Sequence, residues 1–401
     1  MKNYRKTLKA CYLGFITQAI SANFVPLLFL TFHRSYSIPL SKIALISTCF
    51  FFTQLVVDLF CAKFVDRIGY RVSIIISEIT SGLGLAGLAF LPDLFADPYA
   101  GIITCTIIYA VGSGLIEVLV SPIVEACPFE NKAGTMSLLH SFYCWGSVGV
   151  ILLSTVFFHF AGLDRWKILV CLWALVPLYN IVNFATCPIE HLVEDGKGMT
   201  MRELFKNKLF WLFCLLMVCA GSSEIAMAQW ASAFVESALH VSKTVGDLAG
   251  PCCFAILMGI SRVFYGKYGE KYDLKKFMVV SGILCFACYL IAAFAKIPAM
   301  GLMGCALCGF SVGIMWPGTI SIASKSLPLG GTAMFAFFAL AGDLGGSLGP
   351  AIIGFVSQRN GENLQSGILA GIGFPLILVL CVFFLLVKEK GSLHRQQSFK
   401  P

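Results

Sequence analysis

The sequence predicts an all-α membrane protein with twelve transmembrane helices in two pseudo-symmetric six-helix bundles. Three observations support this fold class. Of the 401 residues, 58% are hydrophobic and 12% are charged, against roughly 25% charged residues in an ordinary soluble domain. Twelve apolar runs of about 20 residues recur along the chain, each long enough to cross a bilayer core of about 30 Å. A short internal repeat relates the two halves of the chain.

The twelve runs follow one another with short polar breaks. The first run is expected to remain as a helix, because it is long, contains Gln18 and Asn23, and lacks the cleavage site of a signal peptide. The predicted spans are Leu8–Phe32, Leu40–Ala62, Val72–Leu91, Tyr99–Ile123, Ala133–Ala161, Trp166–Thr186, Lys208–Phe234, Ser242–Tyr265, Lys275–Ala295, Pro298–Ser324, Gly331–Ser357 and Ser366–Val387.

Basic residues predict the orientation of the chain. With the N-terminus inside, most of the 29 Lys and Arg residues fall in segments on the cytoplasmic side, as the positive-inside rule requires. Both termini are therefore expected in the cytoplasm, and the short loops favour the bacterial inner membrane. The net charge of +8 is a topology signal, so the expected partners are the lipid bilayer and a small-molecule substrate, with no nucleic acid. A monomer is expected.

The longest polar break, residues 188–207, predicts a cytoplasmic central loop between bundles at 1–187 and 208–390, with a cytoplasmic tail at 391–401. Across this break, AGTMSLLHSFYCWGSVG (133–149) aligns with GGTAMFAFFALAGDLGG (330–346), which pairs Gly134 with Gly331 and Gly149 with Gly346. The match falls at the start of the fifth and eleventh spans, where a duplicated six-helix unit would place it. Parallel repeats of this kind predict a substrate site near the membrane midplane.

The loop after the second span carries a family resemblance. AKFVDRIGYR (62–71) is similar to the Asp-Arg-x-Gly-x-Arg signature of the major facilitator superfamily, with Ala62 where the family usually has Gly. GLIEVLVSPIVEACP (114–128) and GIMWPGTISIAS (313–324) resemble the fucose–glucose–proton symporter branch. The resemblance implies the major facilitator fold and a secondary active transporter that imports a monosaccharide or sugar-like polyol.

Ionisable side chains inside the spans are the first functional candidates. Each costs about 2.5 to 3.5 kcal/mol on insertion scales and by default faces the interior of the bundle. The sequence contains no Lys or Arg that we predict to lie as deep as these groups. The deep candidates are Asp58, Glu78, Glu117, His140, Glu224 and Asp343.

Glu117 is the leading candidate for proton coupling. Glu117 and His140 lie about 12 to 13 Å from the same loop on neighbouring predicted helices, so a contact between them is expected. A carboxyl shielded from water can be neutral or charged depending on access, as a proton carrier requires. The branch resemblance implies a proton and substrate role for Glu117. The alternative is an acid that only braces the two helices.

Asp343 is expected to be a further proton-coupling residue or, with Ser347, part of a cation site; the alternative is a helix contact.

Candidate substrate-binding residues are polar groups or indoles in the spans, since amides and carboxylates pair with hydroxyls while an indole packs on sugar C–H groups. Each of them could instead serve in helix packing. They are Gln18, Asn23, Glu117, His140, Trp145, Glu224, Gln229, Trp230 and Trp316, and the proton-coupling set is Glu117, His140 and Asp343.

The resemblance assigns a third set of residues to gating, through charge contacts that hold the cytoplasmic side closed. This set is Asp58, Asp66, Arg67, Arg71 and Arg262. An aspartate near a helix C-terminus is unfavourable with the helix dipole. Arg67 and Arg71 are therefore expected to compensate Asp66, and the alternative is simple solvation of the loop.

The sequence favours neither an enzyme nor an ATP-driven pump. No Walker A loop, nucleophile–base pairing, metal cluster or cofactor-binding loop is evident, and no cofactor is expected beyond H⁺ or Na⁺ as the coupling ion. The 17 cysteines are interpreted as packing residues. Three alternatives stay open: Na⁺-coupled or uncoupled sugar uptake, export of an amphipathic small molecule, and, more remotely, a non-transporting membrane receptor.

Overall fold

The computed structural model describes residues 2–193, 198–239, 243–361 and 363–398. All regular structure in these ranges is helical, and every predicted span coincides with a helix or a pair of helices. By length and composition, ten helical segments in the described part of the chain could cross a membrane. The predicted third and eighth spans miss that criterion, and the helix at the third span, Tyr70–Gly87, carries Arg71 and Glu78. The all-α fold with twelve helices predicted from the sequence is confirmed.

Two compact units divide the chain. The first comprises the chain up to Glu130, Phe142–Met201 and Leu329–Leu340; the second comprises Asn131–Ser141, Arg202–Pro328 and the chain from Ala341 on. The units follow the two halves of the sequence except at the starts of the fifth and eleventh spans. These two exchanged segments are equivalent in the internal repeat, which pairs Gly134 with Gly331.

Proline and glycine set the helix ends in the first unit. The first helix ends at Asn23, because Pro26 has no N–H to donate and its ring cannot enter a helix interior; a 3₁₀ turn, Val25–Leu28, follows. Gly69 has φ of +91°, where a larger side chain would be strained. The helices are α1 (Tyr4–Asn23), α2 (Phe29–Tyr36), α3 (Leu40–Ile68), α4 (Tyr70–Gly87), α5 (Leu91–Leu94), α6 (Pro98–Ala126), α7 (Lys132–Ala161) and α8 (Trp166–Thr186).

The start of α1 is attached to the segment that follows α8. Lys2 Nζ and Tyr4 Oη donate hydrogen bonds to Oε1 of Glu190 at 2.6 and 2.9 Å. The hydrogen bond from the Lys2 ammonium holds the pKa of the Glu190 carboxyl below its ordinary value. These exposed contacts define where α1 begins relative to α8.

The helices of the first unit pack through large apolar side chains and through direct backbone contact. Phe32 and Trp166 are buried, and their rings meet edge to face with centroids 5.4 Å apart. A Cβ on Gly112 would lie 2.2 Å from Oγ of Ser81 and 2.4 Å from the carbonyl oxygen of Ser77. Because small residues allow helix backbones to approach closely, α6 lies directly against α4.

The second unit also consists mainly of long helices, and two of its predicted spans are interrupted. The tenth span is divided at Gly313 and the twelfth at Ile372. Its elements follow a short helix, α9 (Met201–Lys206), in the central loop. They are α10 (Lys208–Leu239), α11 (Lys243–Tyr268), α12 (Leu274–Phe294), α13 (Pro298–Val312), α14 (Met315–Ser326), α15 (Gly331–Arg359), α16 (Leu364–Gly371) and α17 (Gly373–Ser398).

Glycines bring α10 and α15 together in the second unit. A Cβ on Gly221 would lie 2.1 Å from the carbonyl oxygen of Gly342, and a Cβ on Gly345 would lie 2.1 Å from that of Val218. Ser222 Oγ donates to the carbonyl oxygen of Gly345 at 2.8 Å. This packing fixes the stretch of α15 that carries Asp343.

Four of the cysteines form two Cys-x-x-Cys pairs on the neighbouring helices α12 and α13. These are Cys285 with Cys288, and Cys305 with Cys308; all four are buried. The Sγ atoms of Cys285 and Cys308 lie 3.8 Å apart. No group of three or more His, Cys, Asp or Glu residues in the described ranges could hold a metal ion.

Candidate functional site

Glu117 on α6 is the centre of a polar cluster in the first unit. Its Oε2 accepts a hydrogen bond from Nε2 of Gln18 on α1 at 2.8 Å and from Nε2 of Gln54 on α3 at 3.2 Å. The Gln54 amide also lies 3.3 Å from Oγ of Ser113, one turn before Glu117. The two glutamines are buried and Glu117 is half-buried. Two helices, α1 and α3, thus direct neutral amide groups at one carboxylate on α6.

The structure brings together Gln18 and Glu117, two residues that the sequence selected separately. Gln54 is a further member of this cluster that the sequence analysis missed. The available signal was an amide in the apolar run FFTQLVVD (51–58). The selection took amides from the first and seventh spans but none from the second. The expected contact of Glu117 with His140 stays a prediction, since His140 belongs to the second unit.

Asn23 lies near the end of α1, opposite α7. Its Nδ2 donates to Oγ of Ser147 at 3.1 Å and to the carbonyl oxygen of Ala19 at 2.9 Å. Trp145, two residues before Ser147, is 37% exposed. Asn23 therefore links two helices, while the Trp145 indole is free of the tight packing that surrounds the core aromatic rings.

Arg262 on α11 connects several parts of the second unit. Its NH2 group lies 3.3 Å from Oε2 of Glu224, and its NH1 group donates to the backbone carbonyl oxygen of His140 at 3.0 Å. Ser137 Oγ donates to the carbonyl oxygen of Arg262 at 2.8 Å. Arg262 is 3% exposed. It is thus a buried cation with a carboxylate partner.

This pairing corrects the expectation that no basic residue lies deep in the bundle. Arg262 stands six residues before the end of α11, but its long side chain carries the guanidinium away from its own backbone position. The sequence placed Arg262 with the gating residues and Glu224 with the substrate-binding residues. The structure makes them partners. The number of residues from the end of a helix gives the depth of a residue in the span. It does not show which side chains on other helices that residue contacts.

Arg262 also completes the interrupted tenth span. In a continuous helix, the carbonyl oxygen of Gly313 would accept a hydrogen bond from the residue four positions later. That residue is Pro317, which has no N–H. Nε of Arg262 instead donates to Gly313 at 2.9 Å. Since an unsatisfied buried carbonyl costs about 1 to 3 kcal/mol, Arg262 stabilises the break between α13 and α14.

Trp316 packs against Gly342, the residue that precedes Asp343 in the second unit. The Trp316 ring lies against Gly342, where a Cβ would be 2.0 Å from its nearest ring atom. Asp343 is half-buried, and its Oδ2 has no hydrogen-bond partner among the described residues. Ser347 Oγ donates to the backbone carbonyl oxygen of Asp343 at 3.1 Å. The structure therefore places the Trp316 indole against the residue that precedes Asp343, while Ser347 bonds to the backbone of Asp343 and not to its carboxyl.

The remaining substrate-binding predictions lie further along α10. Gln229 is exposed. The side chain of Trp230 lies outside the described residues.

The signature aspartate Asp66 is hydrogen-bonded to a hydroxyl. Thr332 at the start of α15 donates to Oδ1 of Asp66 at 2.5 Å, and Oη of Tyr70 lies 2.5 Å from the same Thr332 hydroxyl oxygen. Arg67 is exposed, and Asp58 is buried at 1% exposure in α3. Three groups from three helices therefore meet at the end of α3.

Arg71 has a different partner from the one predicted. Its guanidinium donates to the carbonyl oxygens of Phe184 at 2.6 Å, Ala185 at 2.9 Å and Cys187 at 2.8 Å, at the C-terminus of α8. The expectation that Arg71 compensates Asp66 is wrong. The last carbonyls of a helix have no intrahelical donors and carry partial negative charge. The carbonyls at the end of α8 therefore bind the Arg71 guanidinium, which the sequence had paired with Asp66.

Comparison with known proteins identifies the family. The family model described as Major Facilitator Superfamily matches residues 10–350 and 231–401. The chain belongs to the major facilitator superfamily, and it is a multi-pass membrane transporter.

Individual relatives are distant. The membrane protein MosC of Rhizobium meliloti is 23% identical over 77% of this chain and 72% of its own length. The multi-drug resistance efflux pump PmrA homolog of Lactococcus lactis is 22% identical over 74% of this chain and 75% of its own length. The crystal structure of the E. coli fucose:proton symporter FucP has a TM-score of 0.78 and 16% identity, covering 95% of this chain and 98% of FucP. At this identity the structural likeness concerns the fold.

Proposed function

We propose that this transporter imports a monosaccharide or sugar-like polyol by alternating access and couples uptake to protons through Glu117. The observation that carries this proposal is the Glu117 cluster. A carboxylate that accepts hydrogen bonds from Gln18 and Gln54 can exchange those neutral donors for substrate hydroxyls. The same carboxyl can take up a proton in place of one donor. Both reactions use the same oxygen atoms, so substrate and proton binding would be linked.

The second unit supports a polyol substrate. The carboxylate of Glu224 is an acceptor and the guanidinium of Arg262 is a donor, so this pair offers both kinds of partner that a hydroxyl group can use. The Trp316 indole lies beside Gly342 on α15, and an indole face can pack on the C–H groups of a sugar ring. These features suit a neutral compound rich in hydroxyls.

The comparisons support two different substrate classes. FucP is a fucose:proton symporter, which favours a sugar and a proton. The relative PmrA homolog is a multi-drug resistance efflux pump, which favours export of an amphipathic small molecule as the second candidate. Na⁺-coupled uptake and uncoupled uptake are the alternative coupling modes of the first candidate.

Orientation and location belong to the same proposal. The excess of Lys and Arg in alternate loops supports cytoplasmic termini in a bacterial inner membrane. A reporter that is active in only one compartment, fused after Arg71 and after Asp93 in separate chains, tests this. The first fusion is expected to report the cytoplasm and the second the outside, and the reverse result would overturn the orientation.

Transport itself is tested in liposomes. Purified protein is supplied with a panel of radiolabelled sugars and polyols under an inward proton gradient, an inward Na⁺ gradient, or no gradient. Uphill accumulation is expected only with the proton gradient. Glu117→Gln is expected to retain exchange of internal for external substrate but to lose accumulation, whereas Glu125→Gln on the same helix retains both. Accumulation by Glu117→Gln at the wild-type level would remove Glu117 from the coupling role.

The efflux alternative has its own outcome. If no sugar or polyol exchanges in either direction, and hydrophobic dyes are instead moved into inverted vesicles, the substrate class is wrong.

A further inference from the structure

A second acid in the first unit is more deeply buried than Glu117. Glu78 on α4 is 0% exposed. Oγ1 of Thr17 on α1 donates to its Oε2 at 3.1 Å, and Nδ2 of Asn180 on α8 donates to its Oε1 at 2.8 Å. A Cβ on Gly14 would lie 3.7 Å from Oε1, which shows how closely α1 passes this carboxyl. Each carboxyl oxygen therefore has one neutral donor, and the donors come from two other helices.

Glu78 has no basic partner in the described part of the chain. Among the described residues, the titratable group near Glu78 is the thiol of Cys11 on α1. On α8, Asn183 donates to Oδ1 of Asn180 at 3.2 Å. The side of α1 at Gly14 meets Ile116 and Val120 of α6, which are apolar. An ion buried without an opposite charge costs several kcal/mol even after relaxation of the protein. The neutral, protonated form of a carboxyl is therefore favoured in this environment.

The surroundings of Glu78 can accommodate both protonation states. When the carboxyl is charged, Thr17 donates to it. When the carboxyl carries a proton, the Thr17 hydroxyl can turn to accept that proton and donate to the carbonyl oxygen of Leu13, four residues earlier in α1. Asn180 keeps its other contact, to the carbonyl oxygen of Ala10 at 3.0 Å. One hydroxyl rotation is therefore sufficient to switch between the two states.

The two acids of the first unit are connected through α1. Thr17 donates to Glu78, and the next residue, Gln18, donates to Glu117. Because adjacent helical residues point in different directions, α1 reaches a carboxyl on each side with consecutive side chains. A change of hydrogen bonding at Thr17 thus occurs one residue away from the donor of Glu117.

We infer that Glu78 is a second proton-binding carboxyl of this transporter, connected to Glu117 through the adjacent side chains of Thr17 and Gln18. This inference rests on the proposed proton-coupled function. In this arrangement Glu117 exchanges its donors with substrate, while Glu78 holds a proton away from the substrate. Movement of α1 during transport would then change the environment of both acids together.

The first test needs no substrate. Infrared difference spectra of the purified protein are recorded during a pH titration, with the C=O stretch of a protonated carboxyl as the signal. The wild type is expected to show a band that is absent in Glu78→Gln and present in Glu117→Gln. Thr17→Val is expected to shift the pH at which this band changes, and Thr17→Ser is expected to restore the wild-type value. A Glu78→Gln spectrum identical to that of the wild type across the folded pH range would overturn the inference.

The second test measures transport. Glu78→Gln is expected to retain exchange and to lose pH-driven accumulation, as Glu117→Gln does. Full accumulation by Glu78→Gln would show that this acid only braces α1, α4 and α8. If Glu78→Gln does not fold, the Thr17→Val and Thr17→Ser pair decides: an unshifted accumulation–pH profile in Thr17→Val would overturn the inference.

The two tests separate this inference from the proposed function. If the wild type shows no proton-driven transport but Glu78 titrates in the infrared spectra, the proposed coupling fails while the proton-binding site at Glu78 stands. If the wild type accumulates substrate and Glu78 never changes its protonation, the function stands and this inference fails.

Discussion

Thr332 donates a hydrogen bond to the carboxylate of Asp66 at 2.5 Å. Because this bond uses the only hydroxyl proton of Thr332, the hydroxyl of Tyr70, which lies 2.5 Å from the same oxygen, is the donor to Thr332. The chain of donors runs from Tyr70 through Thr332 to Asp66. The signature aspartate is thus satisfied by a relay of hydroxyl groups at the start of α15.

Thr332→Val is expected to break this relay while preserving the shape of the side chain. The change leaves the Tyr70 hydroxyl buried without its acceptor and should cost about 1 to 3 kcal/mol of unfolding free energy. Thermal unfolding in detergent checks this, with Thr332→Ser as the matched control that retains the hydroxyl. Equal midpoints for the valine and serine variants would contradict the relay.

Arg71→Met is expected to destabilise the C-terminus of α8. The variant loses charge-assisted hydrogen bonds to the carbonyl oxygens of Phe184, Ala185 and Cys187, and we expect a loss of about 1.5 to 3 kcal/mol. Denaturant unfolding measures it. Arg67→Met, at an exposed neighbouring position, should change stability by no more than about 0.5 kcal/mol. Equal effects of the two variants would show that the α8 contact contributes no stability.

Pro317→Ala is expected to reduce the contribution of Arg262 to the free energy of unfolding. Alanine supplies the N–H that the carbonyl of Gly313 lacks, so Arg262→Met should be less destabilising in the Pro317→Ala background than in the wild type. We expect a coupling free energy of about 1 kcal/mol in a double-mutant cycle. The cost of leaving Glu224 unpaired is common to both backgrounds and cancels.

The same cycle with Pro350→Ala in place of Pro317→Ala is the control. Pro350 lies inside α15, and its replacement restores no donor to Gly313. The coupling free energy should therefore be near zero. A coupling equal to that of Pro317→Ala would contradict the role assigned to Arg262.

Gly342→Ala is expected to displace the indole of Trp316. A Cβ at position 342 would lie 2.0 Å from the ring, and overpacking of this kind costs about 1 to 3 kcal/mol. Thermal unfolding and the tryptophan fluorescence spectrum both report the change. Gly354→Ala on the same helix has open space at its Cβ and should leave both measurements unchanged. A Gly342→Ala variant with wild-type stability would contradict the close contact.

Hydropathy predicted the helices well because it measures a property of each segment by itself. All twelve spans were found, and the tenth contained its own signal for interruption in Gly313 and Pro317. The partners of polar side chains were predicted less well. Arg71 was assigned to Asp66 because the two are close in sequence, whereas helix packing presents it to the carbonyls of α8.

The same limit explains the other differences. The contact between Arg262 and Glu224 depends on the rotation of α10 and α11 relative to each other. The sequence of either helix does not determine this rotation. The contact of Gln54 with Glu117 likewise depends on how α3 and α6 pack, so the sequence did not predict it. Gln18 and Glu117 were both selected because a polar side chain in an apolar span needs a partner. This requirement can be applied to the sequence alone, so both members of the contact were identified.

The close contact at Gly112 has a consequence for the two acids of the first unit. The helices α4 and α6 touch through their backbones at this point, and they carry Glu78 and Glu117 respectively. A larger residue at 112 would push both acid-bearing helices apart at once without touching either carboxyl. The spacing of the two acids across the pair is therefore set by a residue that has no side chain, and it can be altered by a substitution that touches neither carboxyl.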